Sequence, residues 1–247
     1  MRRCCLGPAQ RDQPPSRARR FCVLRDHCVD AALVLPPSEL RALSELQTVP
    51  SHRRRWWLTF RGTAGYKGEE GYGRHSLVSL NAHSTPLTPI AVAVTCLTVH
   101  GQHLQPPNRA WCDTLAKAAA DFPPYPDLLN TTFALVPGGR QPASFRLNEV
   151  MRAGCIPIFV SGDAKTTSPY VRPFAEVIPW QQISLHASYD HLSSGAFLAA
   201  LQRIPAAKLQ HMQHGVLHAW THHLAPAASA RTFYQLLRGR AEFRDRR

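Results

Sequence analysis

Lysine, acidic side chains and long apolar runs are all scarce in this chain. Only Lys67, Lys117, Lys165 and Lys208 are lysines among 29 Lys+Arg, set against 16 Asp+Glu, so arginine carries almost all of the formal net charge of +13. No run approaches the roughly 20 apolar residues that span a bilayer. The opening Met1-Arg-Arg-Cys-Cys-Leu6 leads into Gly7-Pro8 and charged residues instead of an apolar stretch. Neither a membrane anchor nor a cleavable signal is therefore expected within these residues. The seven cysteines are odd in number and lack zinc-site spacing. Cys22 and Cys28 could close a small loop in an oxidising lumen, whereas Cys96 and Cys155, set in apolar runs, read as core thiols. Cysteine usage alone leaves the redox compartment open.

A basic excess is compatible with nucleic acid, anionic lipid or an acidic substrate. Much of it gathers at the ends, with Arg2, Arg3, Arg11, Arg17, Arg19 and Arg20 at one and Arg238, Arg240, Arg244, Arg246 and Arg247 at the other. Such runs are ordinarily solvated tails. No aromatic-interleaved basic strand or recognition helix accompanies the charge, so nucleic acid is not the expected partner. With 247 residues and 44% hydrophobic content the chain can fill one core. The expected layout is a disordered basic tail over 1–20, a connection over 21–55, a folded domain over 56–239 and a second basic tail over 240–247.

What is present is concentrated in one stretch, Thr132-Phe-Ala-Leu-Val-Pro-Gly-Gly-Arg140 followed by Ser144-Phe-Arg146-Leu-Asn-Glu149. Phe133 to Val136 reads as a buried strand closed by Pro137-Gly138-Gly139. Ser144 can cap a helix carrying Leu147, Val150 and Met151 at helical spacing, and Gly154 can stop it. Ile156 to Val160 is a second buried strand. Glycines at the mouth of a helix, with Arg140 and Arg146 beside them, suit a phosphate. Glu149, one turn beyond Arg146, could accept from a ribose or sugar hydroxyl. The alternative is a solvated Arg146–Glu149 pair on glycines that merely turn the chain.

A second block, Arg54-Arg-Trp-Trp-Leu-Thr-Phe-Arg61-Gly62, reads as a short strand over 57–60 from which Gly62 starts a glycine-rich loop. The loop is either a surface turn or the first phosphate loop of a nucleotide-binding sheet, with Arg61 near the anion. Arg74 stands ahead of Leu77, Val78 and Leu80 in the helix expected next. Strands alternating with helices over 56–185 predict an α/β fold, a Rossmann-like, mostly parallel sheet with helices on both faces. Three helical segments are expected at 194–203, 205–224 and 229–238. In the middle one His211, His214, His218 and His222 oppose an apolar stripe and read as a solvated face, since no Cys, Asp or Glu nearby completes a metal site.

These blocks resemble the exostosin-type glycosyltransferases, which carry a Pro-x-Gly-Arg loop, a Ser-Phe-Arg-x-x-Glu helix and a Gly-Cys-x-Pro strand entry. The likeness spans about residues 30–238 and is densest at 132–160 and 54–62. It implies the C-terminal half of a two-domain GT-B glycosyltransferase that uses a nucleotide sugar, UDP-linked in expectation, and inverts at the anomeric carbon. Arg61, Gly62, Gly138, Gly139, Arg140, Ser144, Arg146 and Glu149 are then the donor-binding residues. No Asp-x-Asp pair occurs, so neither a metal nor another cofactor is expected. The partners implied are the donor and a glycan acceptor, in the Golgi. The general base is expected in an N-terminal half not contained here, as is the membrane anchor, which makes the chain read as a fragment. A pseudo-transferase that binds donor without turnover, or a basic nucleic-acid binder, are the alternatives.

Overall fold

A computed structural model describes residues 20–23, 27–30, 37–64, 74–96, 98–99, 102–103, 109–138, 144, 146–161 and 172–244. Its centre is a five-stranded sheet. A hairpin of β1 (Arg20–Val23) and β2 (His27–Asp30) and helix α1 (Pro37–Glu45) come first in the chain. Strand β3 (Trp56–Ala64) then enters the sheet, followed by a 3-10 helix, Arg74–His83, and strand β4 (Ile90–Cys96). A small hairpin, β5 (Thr98–Val99) with β6 (Gln102–His103), precedes helix α2 (Arg109–Ala120) and the short helix α3 (Tyr125–Leu128). Strand β7 (Thr131–Pro137), helix α4 (Arg146–Arg152) and strand β8 (Ile156–Ser161) form the unit expected around the central motif. Helix α5 (Trp180–Ile183) and strand β9 (Leu185–Ser188) complete the sheet. Helices α6 (Tyr189–Ser193), α7 (Ala196–Gln202), α8 (Ala206–Ala219) and α9 (Pro226–Arg244) follow, with a π turn at Trp220–Leu224 before the last.

Strand order is β4-β3-β7-β8-β9, and every pairing is parallel. The sequences explain why. Residues 131–137 and 156–161 are buried at every position, as a strand covered on both faces requires. Successive side chains alternate between two cores. Phe133, Leu135, Ile158 and Val160 join Leu77, Leu80, Leu115 and Phe197 in one. Ala134, Val136 and Phe159 join Val150, Met151, Val216 and Trp220 in the other. This is the α/β arrangement that the alternating pattern predicted.

Three local readings are corrected. First, β3 runs through Gly62 to Ala64, because its ladder with β4 continues to the pair Ala64–Cys96; Gly62 lies within a strand and does not open a loop. Second, the segment after Arg74 is a 3-10 helix that buries Leu77 and Leu80, three residues apart, on one side. Third, Cys96 is no core thiol. It forms a disulfide with Cys112, because α2 packs along β4 and brings the two Cα atoms to 5.5 Å. Cys155 is buried as a free thiol, as its apolar setting suggested. Helix α9 continues to Arg244, into the segment read as a basic tail.

The amino ends of the strands are gathered by Arg54, which is buried. Its guanidinium donates to the carbonyls of Leu46 (2.9 Å), Ala153 (2.8 Å) and Thr131 (3.1 Å), and to Cys155 Sγ (3.3 Å). Gly154, at φ 69°, lies against the same guanidinium: a Cβ there would come within 3.2 Å of Arg54 Nη2 and 2.9 Å of Leu217 Cδ2. A glycine is required on both counts.

Candidate functional site

The chain leaves β3 for β4 on one side and returns to β7 on the other. Crevices form at such reversals in open parallel sheets, beyond the carboxyl ends of the strands. The registers show one here. β3 and β7 pair at Trp56–Thr131, Leu58–Phe133 and Thr59–Ala134 and no further. By contrast, β3 stays paired with β4 to Ala64–Cys96, and β7 stays paired with β8 to Pro137–Val160. The sheet therefore splits between β3 and β7 over its carboxyl half.

Arg146, the first residue of α4, stands at this split. Its guanidinium carbon lies 4.8 Å from the centroid of the Phe60 ring and 4.5 Å from that of Tyr125. Two aromatic faces thus hold one cation. Gly62 provides the room: a Cβ at that position would meet Phe60 Cζ at 2.7 Å and Arg146 Nη2 at 3.4 Å. One turn along α4, Glu149 is 3% exposed, and the Tyr125 hydroxyl donates to its Oε2 at 2.6 Å. Part of the Tyr125 residue remains accessible, but its hydroxyl is withdrawn from water. That burial, opposed by Arg146 and reinforced by Glu149, holds the phenol well above its ordinary range. Tyr125 is accordingly a protonated donor throughout the physiological range.

Gly138 follows β7, and its amide donates to Val160 O at 3.2 Å. The Ser144 carbonyl accepts from the Leu147 amide at 3.2 Å, two residues ahead of the first residue of α4. Gly139 and Arg140 lie outside the described residues. Arg61 is engaged elsewhere: its Nη1 donates to Pro123 O at 2.8 Å and Phe122 O at 3.5 Å, fixing the turn between α2 and α3. The structure thus brings Gly62, Arg146 and Glu149 together and sets Arg61 against a backbone turn.

Residues not assigned to the site from sequence complete the group. Phe60 and Tyr125 frame Arg146. Arg74, buried, donates from Nη1 to Thr63 O at 3.0 Å, and from Nη2 to Pro137 O at 3.5 Å and to Gly138 O. One local signal was available, the tyrosine that precedes β7 and the glycines after it; Arg74 reaches carbonyls distant along the chain.

One strand further on, Ser161 Oγ and His186 Nε2 are 2.9 Å apart, and Arg172 lies 5.1 Å over the Phe159 ring. Burial of that imidazole edge, with Arg172 adding, lowers the His186 pKa. His211, His214 and His218 on α8, and His222 in the π turn that follows, are exposed, the last two with ring centroids 4.4 Å apart. Among the described residues no group of three or more His, Cys, Asp or Glu could hold a metal ion, and no helix is long and apolar enough to cross a membrane.

Comparison with known proteins gives a consistent result. The family model described as the Exostosin GT47 domain matches residues 19–201. Exostosin-1a of Danio rerio is 31% identical over 142 residues, which are 57% of this chain and 18% of that protein. The Exostosin-1 homolog of Caenorhabditis elegans is 35% identical over 98 residues, 39% of this chain and 24% of that protein. Exostosin-1 of Bos taurus is 28% identical over 145 residues, 59% and 18% respectively. The chain spans about a fifth of the length of the curated relatives it matches.

Proposed function

The chain belongs to the exostosin GT47 family, and from that premise we propose that the split between β3 and β7 receives the nucleoside diphosphate end of a nucleotide-sugar donor. The observation that carries this reading is the placement of Arg146. A cation held between two rings, at the carboxyl ends of parallel strands and beside a glycine, fits an oligophosphate. The planar guanidinium can bind phosphate oxygens in pairs.

In the transfer itself, negative charge grows on the departing diphosphate. A fixed cation meets that charge without reorganising, which is the kind of stabilisation that lowers such barriers most. Arg146 supplies it from the start of α4, and Arg140, Gly62, Gly138, Gly139 and Ser144 are assigned to the same donor site from the sequence motif. Glu149 anchors Tyr125 and so fixes the second ring of the clamp; a contact to ribose or sugar hydroxyls is its further assignment. No metal is needed in this scheme. The donor is taken to be UDP-linked, the acceptor a glycan and the outcome inversion. The base that removes the acceptor's proton is assigned to an N-terminal half of the two-domain arrangement. The Cys96–Cys112 disulfide supports residence in an oxidising secretory compartment such as the Golgi lumen.

Saturation-transfer NMR with UDP, GDP and UDP-sugars tests the proposal. Wild type is expected to bind one nucleotide saturably. Arg146→Ala is expected to weaken it about 10- to 100-fold, the loss of one charged hydrogen-bonding partner. A folded wild type that binds none of the panel would sink the reading. Donor binding without any sugar release or transfer would favour a pseudo-transferase.

A further inference from the structure

Arg74 connects the two edges of the split. It begins the 3-10 helix whose Leu77 and Leu80 are each 1% exposed, so its backbone is delivered from a rigid element. From there one guanidinium reaches both strand ends: Nη1 to Thr63 O on β3, Nη2 to Pro137 O and Gly138 O at the end of β7. These carbonyls lie beyond Thr59 and Ala134, where the ladder between β3 and β7 has stopped. Thr63 adjoins Gly62, where a Cβ would stand 3.4 Å from Arg146 Nη2, and Gly138 is six residues ahead of Ser144 in the sequence that leads to Arg146.

We propose that Arg74 is a positioning residue that replaces the missing ladder hydrogen bonds between β3 and β7 and sets the width of the crevice that grips the diphosphate. This rests on the donor-binding reading above. The argument is geometric. Recognition groups must be held to about 0.5 Å to work together, and here the two walls that carry them are not bonded to each other by backbone. A planar fork with nitrogens facing two directions can span such walls. A lysine ammonium is a point charge on a flexible stem and cannot hold both in the same geometry.

The test uses the full chain as wild type and as Arg74→Lys, which keeps the charge and loses the fork. Thermal unfolding and circular dichroism establish that the variant folds. Affinities for UDP and uridine are then measured, together with amide hydrogen exchange of the ligand-free proteins. Arg74→Lys is expected to bind UDP about 10-fold or more weakly, the scale of one charged hydrogen bond, with uridine affinity little changed. Amides at 63–64 and 138 should exchange faster in the variant, while those of 156–161 do not. Wild-type UDP affinity in Arg74→Lys, an equal loss for UDP and uridine, or unchanged exchange at both strand ends would each overturn the proposal. Failure of Arg74→Lys to fold would overturn it too, making Arg74 a general core residue. If wild type binds no nucleotide, the donor reading falls by itself, and the bracing of the split is still decided by the exchange data.

Discussion

Tyr125 has two jobs, and they separate by atom. Its ring backs the Arg146 guanidinium, while its hydroxyl serves the buried Glu149 carboxylate. Tyr125→Phe removes only the second. Loss of a hydrogen bond to a buried charged group costs about 1.5–3 kcal/mol, so urea denaturation should show a drop of that order, with nucleotide affinity falling less than when the ring itself is removed. Tyr125→Leu removes the ring as well, and donor affinity should then fall along with stability. An unchanged unfolding midpoint for Tyr125→Phe would mean that the 2.6 Å contact is not stabilising. Arg54 and Arg74 show the same chemistry of arginine on backbone carbonyls, one at each end of the strands. Neither was legible as such in the sequence. An arginine bound to carbonyls distant along the chain, Arg54 to Ala153 or Arg74 to Gly138, leaves no local spacing to read.

At the scale of elements, legibility followed burial. β7, α4 and β8 were readable because a strand covered on both faces must be apolar throughout and the helix between them must show one apolar stripe. The extension of β3 past Phe60 was hidden, because Arg61-Gly62-Thr63 has turn-like composition and stays in the sheet through pairing with β4. Of the candidate site, the placement of Arg146 and Glu149 on the helix after β7 was legible, whereas Gly62, read as opening a loop, lies within β3. The direction of Arg61 was not legible, since neighbouring strand residues face opposite sides and only the turn at Phe122–Pro123 decides what it meets. The pairing of Cys96 with Cys112 follows from α2 lying along β4, also a tertiary fact. Closing a loop at a sequence separation of 16 is worth about 3 kcal/mol in the chain-entropy account. Cys112→Ser, or reduction of wild type, should therefore lower the unfolding free energy by about that amount, measured by denaturant titration with and without reductant.

At the scale of the whole molecule, two imidazoles among the described residues couple the fold to pH. Burial first, then Arg172, lowers the pKa of His186; burial first, then His218 and His222, lowers that of His223. Both are kept neutral by the fold more strongly than by an unfolded chain, where histidine titrates at about 6.5. Their contribution to stability is complete above that value and is lost as pH falls toward the lower folded-state values. Melting temperature should therefore decline between about pH 7 and pH 5, and His223→Gln should flatten the decline. A profile that rises on acidification would contradict the assignment.

The incomplete ladder between β3 and β7 has a consequence for how the protein comes apart. β3 with β4 is one fully zipped panel, and β7, β8 and β9 are another; only the short register from Trp56 to Thr59 sews their backbones together. Parting the sheet along that seam breaks fewer backbone bonds than dividing either panel. Partial opening should therefore begin there and release two cooperative blocks. They are chemically unlike: the first is stapled by a reducible disulfide, and the second hides a single thiol, Cys155. Exposure of that thiol to a labelling reagent would then report on the second block alone, a clock for subglobal unfolding already present in the sequence.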